Sequence, residues 1–176
     1  MNTTNSNLEQ KFFSENRAEI EKLIERFNKY KEELYRKQVE QTTLLKEMAI
    51  KETGDGAWWI YDGIDLGYTF NANNNPIGIE SWFIEENGTP CAKFYICITT
   101  WKTADWQPYK DAVLSRFADF NPQEEHRGNR VYLHLTNNIP GNDAHEIITK
   151  LRDVYTRMKE IVAESSDAPH QCASAK

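Results

Sequence analysis

Glu80 and His134 are the side chains of this sequence whose type and placement favour acid–base chemistry. Glu80 precedes Trp82 in a segment of alternating character, so a predicted strand places this carboxylate beside a large ring. His134 lies on another predicted strand, on the face opposite Leu133 and Leu135. A carboxylate and an imidazole in one pocket could act as general acid and base. The alternative interpretation is a half-buried polar residue with a structural role at each position.

No motif for a metal or a cofactor occurs in the sequence. The histidines and cysteines lack the His-x-x-x-His and Cys-x-x-Cys spacings of metal sites, and no glycine-rich loop could cradle a phosphate. Acidic residues near the predicted sheet could offer oxygen ligands, and these are Asp62, Asp65, Glu80, Glu85 and Glu86. Because acids in or beside turns are usually solvated, we expect neither a metal nor a cofactor.

The 5 tryptophans all fall between Trp58 and Trp106. Trp58 and Trp59 are adjacent in a predicted strand, so their side chains point to opposite faces. Aromatic rings on an exposed sheet can anchor a protein partner or stack bases, whereas a sheet covered on both sides would bury them. The candidate binding residues are Trp59, Glu80, Trp82, Trp101 and His134.

The third predicted strand indicates which face of the sheet is the core. Ile77, Ile79 and Phe83 share the more apolar face. Glu80 and Trp82 share the other face, because side chains two apart in a strand point the same way. A large ring beside a carboxylate then makes a surface suited to a partner.

A long helix is predicted over residues 8–53, which contain neither Gly nor Pro. Its apolar residues recur at the three–four spacing of a coiled coil. We call this set the apolar seam: Phe13, Ile20, Leu23, Phe27, Tyr30 and Leu34. A helix of about 45 residues is roughly 65 Å long at 1.5 Å per residue, which exceeds the width of a domain of this size. We therefore expect a homo-oligomer joined through this helix.

The remainder predicts an α+β fold in the order α-β-β-β-β-α-β-α, with an antiparallel sheet of about five strands. Asp62-Gly63 and Asn87-Gly88 predict hairpin turns, and 123–129 is predicted to be a loop before a strand over 130–136. The expected organisation is a disordered N-terminus (1–7), the helix (8–53), an α+β domain (54–163) and a disordered tail (164–176).

The composition and charge of the chain favour some classes of function and disfavour others. The 176 residues are 39% hydrophobic and 12% aromatic, enough for one proper core. The net charge of −6 disfavours non-specific nucleic-acid binding, although a local basic face would favour it, formed by Lys93, Lys102, Lys110, Arg127 and Arg130. The sequence shows no export signal and no apolar span, so we expect a cytoplasmic protein with reduced thiols and no membrane contact.

One resemblance covers roughly residues 12–162. A charged long helix precedes Gly-Asp-Gly-Ala-Trp-Trp-Ile, Pro-Ile-Gly-Ile-Glu-Ser-Trp-Phe and Lys-Phe-Tyr-Ile-Cys-Ile-Thr-Thr-Trp. This pattern resembles the C-terminal accessory region of some bacterial PD-(D/E)XK nuclease-family proteins. The resemblance implies a prokaryotic or phage protein connected with defence or mobile DNA. The nuclease motif is missing, since the sole Glu-x-Lys is Glu9-Gln10-Lys11 with no Asp before it, so no catalytic residue carries over.

Three hypotheses remain from the sequence. The leading one is a non-enzymatic module that oligomerises through its N-terminal helix and holds an unknown protein partner on its sheet. The second is an accessory protein associated with nucleic acid, which requires the basic face. The third is a small enzyme built on Glu80 and His134, which requires one pocket joining those side chains.

Overall fold

The computed structural model describes residues 3–72, 75–101 and 107–166, and within them it has an α+β fold with an antiparallel sheet and a long N-terminal helix, as predicted. The elements in chain order are α1 (Thr3–Glu15), α2 (Arg17–Thr53), β1 (Trp59–Tyr61), β2 (Asp65–Ala72), β3 (Asn75–Glu86), β4 (Thr89–Trp101), α3 (Gln107–Arg116), β5 (Gln123–Arg127), β6 (Arg130–Pro140) and α4 (Ala144–Ser166). Disorder is predicted for residues 1–7 and 164–176, but residues 3–7 belong to α1 and residues 164–166 to α4, because both helices extend further than their apolar patterns. Residues 1–2 and 167–176 lie outside the described residues.

The chain forms two compact units, residues 1–37 and residues 38–176. The first unit holds α1 and the N-terminal part of α2. The single helix predicted over 8–53 is divided at Asn16, and the first helix begins at Thr3. Asn16 Nδ2 donates to the carbonyl of Phe12 at 2.9 Å, the same oxygen that accepts the Asn16 backbone N–H at 3.0 Å. Such side-chain competition for a helical carbonyl explains the interruption.

The second unit contains the six-stranded sheet, in the order β1-β2-β3-β4-β6-β5, with every neighbouring pair antiparallel. Asp62 and Gly63 have φ values of 49° and 75° and turn β1 into β2, and Asn87 and Gly88 (51° and 74°) turn β3 into β4. Two successive positive φ values match the right-handed twist of a hairpin. The first four strands are therefore the meander that the sequence predicts.

One strand was not predicted. Residues 123–127, expected to be loop, form β5 and pair with β6 in register from Gln123↔His134 to Arg127↔Arg130. The turn between them uses Gly128 at φ 58°. The strand has the sequence Gln-Glu-Glu-His-Arg, so it carries no apolar residue from which an alternating pattern could be recognised.

The hydrophobic core of this unit lies on one face of the sheet. Ile79, Phe83 and Ile96 are buried there, and the helical side chains packed with them come from the end of α2, from α3 and from α4. The helical contributors include Leu45, Ala49, Val113, Leu151, Val154 and Met158. Alternate strand residues point the other way, and we call the side that they form the open face: Trp59, Tyr61, Asp65, Glu80, Trp82, Tyr95, Arg130, Tyr132 and His134.

Asp55 fixes the entry to β1. Its Oδ2 accepts hydrogen bonds from the hydroxyls of Tyr68 at 2.6 Å and Tyr155 at 2.9 Å, and its Oδ1 accepts the Ala57 N–H at 2.9 Å. The hydrogen bond from Tyr68 is the main reason that the pKa of Asp55 lies below its ordinary value. Because Trp58 is buried in the core, alternation then directs Trp59 to the open face.

Candidate functional site

The ring of Trp59 lies against the backbone of β2 at Gly67. Trp59 is paired with Gly67, and a Cβ on Gly67 would lie 2.3 Å from two atoms of the indole ring. The indole Nε1 donates to Thr69 Oγ1 at 3.1 Å. The glycine and this hydrogen bond together hold the ring down on the open face.

Glu80 and Arg130 form an ion pair that spans β4. Glu80 lies on β3 and Arg130 lies on β6, with β4 between them. The guanidinium NH2 group donates to Glu80 Oε1, and the two side chains are 36% and 20% exposed for Arg130 and Glu80 respectively. The guanidinium also lies 5.2 Å from the centre of the Tyr132 ring. The open face thus holds one guanidinium between a carboxylate and an aromatic ring.

Two depressions adjoin this ion pair, and both are lined by Trp59, Glu80 and Arg130. The first, which we call the Asp65 cleft, adds Tyr61 and Asp65 and has a volume of about 390 Å³. The second, which we call the Thr99 cleft, has a volume of about 230 Å³ and adds Thr69, Pro76, Gly78, Thr99 and Thr100. Trp59 therefore forms a wall common to the two clefts.

The Asp65 cleft carries an excess of negative charge. Asp65 and Glu80 face one cation, Arg130. Partial burial raises the pKa of Asp65 above its ordinary value, and the neighbouring charges of Glu80 and Asp62 raise it further. A carboxylate in such a place is stabilised by a cation, because an opposite charge favours the ionised form.

The Thr99 cleft has a buried hydroxyl in its lining. Thr99 is 2% exposed, and among the described residues no group forms a hydrogen bond with its Oγ1. A Cβ on Gly78, the residue paired with Thr99, would lie 3.0 Å from Thr99 Cγ2, so the glycine leaves room beside the threonine. Buried polar groups are usually satisfied, and this hydroxyl in the lining of the cleft is an exception among the described residues.

A row of rings continues across the open face, and we call it the aromatic ladder: Trp82, Tyr95, His134 and Tyr132. The ring centres of Trp82 and Tyr95 are 4.4 Å apart, and those of Tyr95 and His134 are 5.4 Å apart. His134 and Tyr132 are parallel within 10° at 6.4 Å. The ladder joins β3, β4 and β6 by ring contacts and remains partly accessible at Trp82, His134 and Tyr132.

Glu80 and His134 have separate partners. His134 Nε2 lies 2.9 Å from Glu125 Oε2, whereas Glu80 is bonded to Arg130. Burial lowers the pKa of His134 below its ordinary value. The depression lined by His134, about 340 Å³ in volume, does not include Glu80.

Cys97 lies between these two residues in the sheet register, paired with Glu80 on one side and His134 on the other. Its side chain is fully buried. Burial is the main reason that the pKa of its thiol is raised, and Glu80 raises it further. A thiol in this state is a poor nucleophile, so the row Glu80, Cys97 and His134 is not an activated cysteine site.

The predicted basic face is neutralised where the structure describes it. Lys93 pairs with Glu86, Lys110 with Glu124, Arg127 with Glu125 and Arg130 with Glu80. Lys102 lies outside the described residues. A phosphate backbone would have to compete with these carboxylates for each cation.

The apolar seam is accessible within the first unit. Phe13, Leu23, Phe27 and Tyr30 are 59%, 63%, 60% and 49% exposed, and Ile20 and Leu34 are partly exposed. The Lys31 ammonium lies 5.5 Å from the centre of the Phe27 ring. The seam thus presents large apolar side chains at heptad spacing, with Phe13 on α1 and the other five residues on α2.

The structure brings Trp59 and Glu80 to one cleft and Trp82 and His134 to one ladder. The fifth candidate is Trp101, whose side chain lies outside the described part of the structure. Sequence reasoning missed Tyr61 and Thr99, and it named Arg130 only as part of a basic face and not as a residue of these clefts. Alternation places Thr99 on the same strand face as Cys97, but only the cross-strand register brings that face beside Arg130.

The chain matches no family model, no curated protein and no solved structure. Among the described residues, no group of three or more His, Cys, Asp or Glu side chains is arranged to hold a metal ion. None of the described helices has the length and apolar character needed to cross a membrane.

Proposed function

We propose that this protein is a non-enzymatic interaction module that self-associates through its N-terminal helix and presents the open face of its sheet to a protein partner. The observation that carries the proposal is the exposure of the apolar seam at heptad positions. Monomeric proteins seldom expose contiguous apolar surface, and such patches mark interaction sites.

The spacing of the seam favours a second copy of the same helix as its occupant. Phe13, Ile20, Phe27 and Leu34 recur every seven residues, and Leu23 and Tyr30 each follow one of them by three. A seven-residue repeat with apolar residues at two positions is the pattern by which two helices interlock. Residues outside this repeat are largely charged, which suits the solvent side of such a pair.

The open face is the proposed surface for a different protein. Tyr and Trp are enriched among the residues that dominate binding energy at interfaces. The aromatic ladder and Trp59 supply such rings beside charged groups that can form hydrogen bonds. The resemblance to an accessory region of PD-(D/E)XK nuclease-family proteins supports an accessory role, and we extend the proposal to a prokaryotic or phage system linked to defence or mobile DNA.

A nucleic-acid partner is the second candidate, favoured by one observation. Tyr132 lies 5.2 Å from both the Arg127 and the Arg130 guanidinium, and rings beside cations can stack bases. The carboxylates of Glu125 and Glu80 that pair with these cations weigh against phosphate. A protein partner is therefore the better match.

The test compares two glutamate substitutions on the same helix. Phe27→Glu places a charge in the seam, whereas Tyr35→Glu replaces another aromatic residue, 47% exposed, outside the heptad positions. By light scattering after gel filtration, the unmodified chain and Tyr35→Glu should have at least twice the 20.5 kDa monomer mass, and Phe27→Glu should be monomeric. An unchanged mass for Phe27→Glu would refute the proposal.

A further inference from the structure

We propose that the Asp65 cleft binds the basic side chain of a protein partner, with arginine as the preferred residue. This inference rests on the proposed function, because it specifies the partner chemistry of the open face. It assigns Asp65 and Glu80 to charge recognition and Trp59 and Tyr61 to stacking.

The charges of the cleft require a cation. Two carboxylates line the cleft, and the guanidinium of Arg130 neutralises one of them by donating a hydrogen bond to Glu80. Among the described residues, no group donates a hydrogen bond to the Asp65 carboxylate. A further acid, Asp62, acts on Asp65 electrostatically. A guanidinium or ammonium entering the cleft would meet the carboxyl groups of both Asp65 and Glu80.

The walls of the cleft suit a planar cation. Trp59 is held against Gly67, and Tyr61 is 70% exposed at the end of β1. Cations are attracted to the faces of such rings, and guanidinium groups also stack on them. A planar guanidinium can form two parallel hydrogen bonds to a carboxylate, which an ammonium cannot.

The protein already contains this arrangement once. The Arg130 guanidinium is bonded to Glu80 and lies over the Tyr132 ring. A ligand guanidinium would repeat it on the other side of Glu80, with Asp65 as the carboxylate and Trp59 as the ring.

The adjacent Thr99 cleft offers an independent observation that points to a ligand. Its Thr99 hydroxyl is buried, and no described residue bonds it. Leaving such a group unsatisfied costs stability, so a peptide carbonyl or amide would gain a hydrogen bond there once a small side-chain movement uncovers the hydroxyl. Since the two clefts share Trp59, Glu80 and Arg130, one short peptide could occupy both.

The test uses two peptides that differ only in charge: Ac-Gly-Arg-Gly-NH2 and the same peptide with citrulline, the neutral isostere of arginine. Titration is followed through the indole N–H resonance of Trp59 in the full-length protein, assigned with Trp59→Phe. The arginine peptide should shift this resonance saturably, and the citrulline peptide should bind at least about fivefold more weakly, as expected for a cation held by a ring and a carboxylate.

Two substitutions complete the test. Asp65→Asn should weaken binding of the arginine peptide by a similar factor, and Asp111→Asn, which removes the same charge from an exposed position on α3, should not. The inference would be overturned if both peptides bound equally well or if Asp65→Asn left the binding unchanged. It would also be overturned if the Trp59 resonance responded to a single-stranded oligonucleotide and not to the peptides. An unchanged Trp59 resonance with both peptides would overturn it as well. The peptide comparison uses the unmodified protein, so it stands even if Asp65→Asn folds poorly, and none of these outcomes alters the mass measurement that tests self-association.

Discussion

The guanidinium of Arg130 reaches across β4 to the carboxylate of Glu80, which lies 50 positions earlier in the sequence. This contact joins β3 to β6 although the two strands are not neighbours, and both of its residues line the Asp65 and Thr99 clefts. Its geometry determines which charges remain for a ligand.

Breaking this ion pair from one side should cost more than removing it whole. Arg130→Met leaves Glu80 partly buried beside Asp65, so we expect the free energy of unfolding to fall by about 1–2 kcal/mol, a value between those of exposed and fully buried pairs. Urea unfolding measures this change. The double variant Glu80→Gln/Arg130→Met should lose less unfolding free energy than the sum of the losses in the two single variants. If the two losses were strictly additive, the contact would contribute nothing to stability.

Filling Gly67 should displace Trp59. The Cβ of Gly67→Ala would lie 2.3 Å from the indole ring and 2.7 Å from the Ile79 carbonyl oxygen, so we expect a loss of about 1–3 kcal/mol, typical of overpacking, and red-shifted tryptophan emission. Gly56→Ala is the matched control, because a Cβ there meets nothing within 4 Å. Similar stability of the two variants would mean that Trp59 is not held against β2.

Trp82 and Phe83 are adjacent but should respond differently to truncation. Phe83 is buried against Phe94 at a ring distance of 4.9 Å, and Phe83→Ala should cost about 3–5 kcal/mol. Trp82 is only partly buried and stacks on Tyr95, so Trp82→Ala should cost about 1–2 kcal/mol, mostly the loss of a ring pair and some packing. Denaturant melts separate the two cases, and an equally large loss for Trp82→Ala would place it in the core.

His134 should make the protein less stable as the pH falls. Glu125 lies nearby, but Arg127 donates hydrogen bonds to both oxygens of that carboxylate. The burial of His134 is therefore the main influence on its pKa, which it lowers. The unfolded chain then binds a proton at His134 more readily than the folded chain does. The contribution of His134 to the free energy of unfolding is therefore fully present above about pH 6.5, the ordinary pKa of histidine, and it declines as the pH falls below that value. His134→Gln should flatten this part of the stability–pH curve, and a curve identical to that of the unmodified protein would contradict the assignment.

Local chemistry made much of the fold predictable. Asp62-Gly63 and Asn87-Gly88 fixed two hairpins because few other pairs accept two positive φ values. β5 was missed because all its side chains are polar, and the break at Asn16 was missed because its side chain competes for a carbonyl within an otherwise helical pattern.

The candidate site was only partly predictable. Alternation along β3 places Glu80 and Trp82 on the face opposite Phe83, and this follows from the period of a strand. The proximity of Asp65 and Arg130 to Glu80 depends on the register of four strands. No local sequence pattern specifies that register, so the sequence named Asp65 only as an oxygen ligand for a metal and Arg130 only as part of a basic face, and neither as a partner of Glu80 in a binding site.

Sedimentation equilibrium of the unmodified, full-length chain over a range of concentrations tests the central claim most directly. The account predicts a mass of at least twice 20.5 kDa at micromolar concentration, because a helix face with this much exposed apolar surface gains free energy by burial against a second copy. A single 20.5 kDa species persisting to high micromolar concentration would contradict it.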